Sequence, residues 1–78
     1  MFEYNICNQA DADLFQKQCQ ALENRIVGIH AKERLEDVDG ILIQFYQHEL
    51  GAIMVKNDMQ VDALYVVSEF DLMPYFKK

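Results

Sequence analysis

The chain has 78 residues, 51% of them apolar, with three Gly and one Pro. A chain of this size buries only about 60% of its unfolded surface, so it is read as one small packed domain, residues 1–78, and not as a disordered segment. Thirteen Asp and Glu against seven scattered Lys and Arg give a formal charge of −6. That balance disfavours nucleic-acid binding, which needs clustered cations to displace counterions, and suits solubility first, and then a basic protein partner or mimicry of a nucleic acid's charge. There is no signal-like start and no apolar run of about eighteen residues, so the expected setting is the cytoplasm, without membrane insertion.

Phe2, Tyr4 and Ile6 alternate with Glu3, Asn5 and Cys7, which predicts a short strand over residues 2–7. Asn8 with Asp11 three residues on resembles a capping box. The spacing of Phe15, Cys19, Leu22 and Ile26 then predicts an amphipathic helix over about residues 9–26, stopped at Gly28. Residues 27–38 are ambiguous. Ala31-Lys32-Glu33-Arg34-Leu35-Glu36 favours helix by propensity, whereas Ile29, Ala31 and Leu35 keep strand parity. A turn at Val38-Asp39-Gly40, with Gly in the left-handed position, sets Leu35 opposite Ile43 and tips the reading to strand.

Three further strands are predicted over residues 41–46, 52–56 and 60–67, joined by loops at residues 47–51 and 57–59. The five-residue loop pairs Phe45 with Ile53, and the three-residue loop pairs Val55 with Val61. Ile41, Ile43, Phe45, Ile53, Val55, Val61, Ala63, Tyr65 and Val67 then form the face beneath the helix. The expected fold is α+β, in the order β-α-β-β-β-β, with a mainly antiparallel meander and one helix on one face. The position of the first strand is left open.

A single long helix covers only one sheet face. On this register Leu42, Tyr46, Met54, Leu64 and Val66 gather on the other face as a candidate interaction surface. Ser68-Glu69-Phe70-Asp71 reads as a second capping box opening a helical turn over residues 69–73. Two covers for the second face are therefore expected. Either Phe70, Leu72, Met73 and Phe76 fold back over it, or a homodimer or other partner occupies it.

No catalytic constellation stands out. The run Glu33, Glu36, Asp37 and Asp39 lacks calcium-loop spacing, because the first and twelfth positions would fall on Leu35 and Tyr46. His30, His48, Cys7 and Cys19 lack zinc spacing, and both cysteines read as reduced. The one Ser and the absence of Thr remove most hydroxyl nucleophiles, and the isolated glycines form no phosphate cradle. No cofactor is expected.

The reading that follows is a small acidic, non-catalytic interaction protein, such as an adaptor, inhibitor or immunity-type factor. Glu33, Glu36, Asp37 and Asp39 would steer a basic partner electrostatically. The alternatives are a homodimeric module that binds a small ligand, and a small enzyme using His48 and Glu49 in a loop.

Overall fold

The computed structural model describes residues 1–37 and 40–76, with the side chain of Phe76 excepted. Five strands, β1 (Phe2–Cys7), β2 (His30–Glu36), β3 (Leu42–His48), β4 (Gly51–Asp58) and β5 (Ala63–Ser68), form one antiparallel sheet in the order β1-β5-β4-β3-β2. Helix α1 (Ala12–Arg25) connects the two edge strands, and a short helix, α2 (Met73–Phe76), follows β5. The α+β architecture and the β-α-β-β-β-β order are those expected from the sequence. Residues 30–36 are strand, and β1 lies at the edge beside β5.

Helix α1 begins later than the capping pattern at Asn8 implies. Asp11 is the N-cap, and its Oδ1 accepts from the amides of Asp13 at 2.8 Å and Leu14 at 3.2 Å. Asn8 is used otherwise, accepting from Asn5 Nδ2 at 2.6 Å. The amides just before the helix are held from a distance: Ala10 donates to Asp62 Oδ1 at 2.7 Å, and Asp11 to Asn57 Oδ1 at 2.9 Å. Tertiary acceptors on β4 and on the following turn thus place the start of the helix. Its apolar stripe is as predicted, with Phe15, Cys19, Leu22 and Ile26 all at most 2% exposed.

The sheet register differs from expectation at two turns. β3 and β4 are joined by two residues, Glu49 and Leu50, with His48 paired to Gly51. Tyr46 therefore faces Ile53 and Gln44 faces Val55, where a five-residue loop would have set Phe45 and Ile43 there. β4 runs on to Asp58, and the next turn occupies residues 59–62, with Asp62 in the left-handed region at φ 56°. Val55 then pairs with Val66 and Ile53 with Ser68.

A one-residue shift exchanges the faces of a strand. The core accordingly joins Tyr46, Ile53, Val55, Leu64 and Val66 to the stripe of α1, and Ile43, Phe45, Tyr65 and Val67 lie on the other side of the sheet. The β2–β3 pairing of Leu35 with Ile43 is as expected, with Gly40 at φ +83°. Val38 and Asp39 of that turn lie outside the described residues.

Candidate binding surface

The covered face carries polar groups with structural duties. β2 bulges between Ala31 and Arg34, and Gln44 Nε2 fills the gap, donating to the carbonyls of Lys32 at 3.2 Å, Glu33 at 3.3 Å and Phe45 at 3.0 Å. Tyr46 donates to Glu23 Oε2 at 2.8 Å, and its hydroxyl also lies 3.4 Å from the Cys19 carbonyl. Burial, reinforced by that carboxylate, lifts the Tyr46 phenol far above its ordinary range, and burial also raises the Cys19 thiol. Arg34 donates to Gln16 at 2.8 Å and lies over the Phe15 ring at 5.1 Å, so its charge is engaged on the helix side.

His48 is not an exposed loop residue but the buried last residue of β3, 5% exposed. The Val27 carbonyl can only accept, so Nε2 carries the proton and donates to it at 2.9 Å; Nδ1 accepts from the Leu50 amide at 3.1 Å. The ring stacks on Phe70 at 5.0 Å with Tyr75 edge-on at 6.4 Å. Both ring nitrogens are committed to joining the end of α1, the β3–β4 turn and the C-terminal segment. Glu49 is an exposed turn residue beside it.

The C-terminal segment closes the helix side of the sheet. Leu72 is fully buried in the core, and its amide donates to the Tyr4 hydroxyl at 2.8 Å, which in turn donates to Asp71 at 2.9 Å. Ser68 Oγ accepts from the Phe70 amide at 3.1 Å without opening a helix; Asp71 Oδ1 accepts from Met73 at 3.0 Å where α2 starts. The helical turn is thus later than residues 69–73, and Pro74 fits its first turn, where an amide is dispensable.

These placements redistribute the surface expected from the sequence. Tyr46, Leu64 and Val66 are at most 2% exposed beneath α1 and the C-terminal segment, and Leu42 is half-buried against the same core. Burial removes those four as an interaction surface. Met54 alone of the five is on the opposite face, opposite Phe45 and Val67. The causes are two turns: the two-residue β3–β4 turn moves β3 by one residue relative to β4, and the turn at residues 59–62 moves β5 by five, both odd shifts that exchange faces.

That opposite face is the candidate binding surface. One row across the sheet reads Phe45, Met54, Val67 and Glu3, and the next reads Leu35, Ile43, Lys56, Tyr65 and Asn5. Ile41, Ala52 and Ala63 extend it. The apolar members are half-buried by their neighbours, apart from Leu35 at 48% exposure, and no helix among the described residues lies on them. Lys56, near its centre, is 3.7 Å from Asp58 on the same strand.

The acidic run adjoins this face. Glu33 and Glu36 stand exposed on edge strand β2, with Asp37 directly after it; Asp39 lies outside the described residues. A shallow depression of about 430 Å³ is lined by Leu35, Glu36, Asp37, Ile41, Ile43 and Lys56, and a second one by Lys32, Glu33 and Phe45. Apolar and acidic surface therefore meet along the β2–β3 side of the face.

Sequence periodicity places Ile41, Ile43, Phe45, Ala63, Tyr65 and Val67 on the core face, so it does not reveal the residues that make this surface. Parity was no guide, since both faces of β3 to β5 are apolar. The available signal was Gly51, whose φ of +148° ends a short turn instead of extending a long one.

No group of three or more His, Cys, Asp or Glu side chains able to hold a metal occurs among the described residues, where Cys7 and Cys19 are free thiols. None of their helices is long and apolar enough to cross a membrane. Comparison with protein-family models, with curated proteins and with solved structures finds no match for the chain.

Proposed function

We propose that this chain is a small, non-catalytic interaction protein, an adaptor, inhibitor or immunity-type factor, that binds another protein through its open sheet face. The observation that carries the reading is the uncovered apolar surface formed by Ile43, Phe45, Met54, Tyr65 and Val67 across β3, β4 and β5. A sheet with two apolar faces requires a layer on each, and contiguous exposed apolar patches mark interfaces in folded proteins. The free thiols of Cys7 and Cys19 suit a reducing compartment such as the cytoplasm.

The test is affinity capture from a lysate of the source organism, with mass spectrometry of what is retained. Three baits are used: the parent chain, Met54→Asp on the open face, and Gln20→Asp on the exposed side of α1. The expected result is one stoichiometric protein held by the parent and by Gln20→Asp and lost from Met54→Asp. Retention indifferent to Met54→Asp in every captured protein overturns the reading.

A further inference from the structure

The open face is about as long as a helix of a particular size. Seven residues of β3 at about 3.4 Å each span about 24 Å, the length of a helix of about 16 residues. α1, with 14 residues, fills the corresponding space on the other side. The sheet edges are poor docking sites by comparison. β2 is bulged and carries Lys32, Glu33, Arg34 and Glu36, and β1 is bulged between Asn5 and Cys7, which discourages strand addition at either end.

Charge decides among occupants of the face. Arg34 is turned to α1, Lys56 is matched by Asp58, and Lys32 is the remaining cation of β2. Glu3 pairs with Val67, Glu33 lines the depression beside Phe45, and Glu36, although paired with Leu42 on the covered side, sits at the rim of the depression lined by Leu35, Ile43 and Lys56. A second copy of the chain would bring another formal charge of −6 against this border, whereas a cationic partner is attracted to it.

Resting on the reading of this face as an interaction surface, we propose that it is completed by a cationic amphipathic helix of another protein, whose apolar stripe covers Ile43, Phe45, Met54 and Val67 while its Lys and Arg flank meets Glu33 and Glu36. The bound assembly is a three-layer helix–sheet–helix sandwich in which α1 and the partner helix lie on opposite faces. The carboxylates supply attraction and orientation, and the apolar rows supply the buried area.

The test titrates the intact chain, by NMR, with a synthetic helical peptide of about 16 residues bearing a Leu stripe flanked by Lys and Arg, and with its counterpart flanked by Glu and Asp. Sedimentation velocity of the free protein is run in parallel. The expected result is a monomer whose amide resonances shift at Ile43, Phe45, Met54, Val67, Glu33 and Glu36 with the cationic peptide. Its affinity should exceed that of the anionic peptide at least about tenfold, fall with added salt, and fall about tenfold or more in Met54→Asp, although that change adds negative charge. Phe45→Gln serves if Met54→Asp does not fold. Absent shifts, shifts confined to the outer side of α1, or equal affinity for both peptides overturn the inference and leave the proposed function to its own capture test. A dimer dissociated by Met54→Asp also overturns it, by making a second copy the occupant, while the face remains an interaction surface.

Discussion

Val66 and Val67 are consecutive residues of one strand with the same side chain, and they meet opposite surroundings. Val66 pairs with Val55 and is fully buried under α1, whereas Val67 pairs with Met54 on the side that no helix among the described residues covers. The same contrast runs through β3, with Gln44, Tyr46 and His48 inward and Ile43 and Phe45 outward. The covered face spends its polar side chains on fixing a bulge, a helix and a turn. On the open face the residues are simpler and more apolar than solvent exposure alone would favour, which is the composition on which the proposed interface rests.

The largest expected effect is on the covered side. Leu64→Ala should lower unfolding free energy by about 2–5 kcal/mol in urea denaturation, because it empties a fully buried site, while Met54→Ala on the open face should cost about 1 kcal/mol or less. Equal costs would mean that the two faces are equally covered. The turn that separates the faces comes next. An added Cβ on Gly51 would lie 2.8 Å from Glu69 Cβ at a φ of +148°, so Gly51→Ala should lose about 1–3 kcal/mol in the same assay. A neutral result would detach the register from this turn.

A smaller effect distinguishes the faces by pH. The Tyr46 phenol is raised in the fold above its ordinary 10.0, so the stability it contributes is intact below pH 10 and is lost as pH climbs beyond it; Cys19, raised from 9.0, acts in the same direction. Tyr46→Phe should cost about 1 kcal/mol near neutrality, through the lost hydrogen bond to Glu23, and the gap to the parent should narrow above pH 10. Urea midpoints across the alkaline range read this directly, and a gap that widens with pH would contradict the assigned burial. The smallest effect belongs to the acidic border. Glu33→Gln with Glu36→Gln should leave stability within about 0.5 kcal/mol, since both side chains are exposed on an edge strand.

How much of this was legible follows from what each signal depends on. The helix stripe of Phe15, Cys19, Leu22 and Ile26 and the strand Phe2–Cys7 rest on local periodicity and were read correctly. The pairing of Leu35 with Ile43 followed from the left-handed Gly40. Surplus apolar sheet surface was also legible, because it needs only the count of apolar positions against one helix. Which face carries the surplus was not. Leu42-Ile43-Gln44-Phe45-Tyr46 is apolar on both parities, so for β3 the choice passes to the length of the β3–β4 turn. That length is set by contacts distant in sequence, namely Gly51 against Glu69 and His48 against Val27 and Phe70. The start of α1 was misplaced for a similar reason, since its acceptors Asn57 and Asp62 lie about fifty residues away in the chain.

The most direct measurement compares the thermal unfolding of Val66→Asp with that of Val67→Asp by circular dichroism. A carboxylate at Val66 enters a fully buried site among apolar side chains and should abolish cooperative folding in a domain of this size, whereas Val67→Asp should melt within a few degrees of the parent. The reverse order, or comparable loss in both, would contradict the assignment of one face to the fold and the other to a partner.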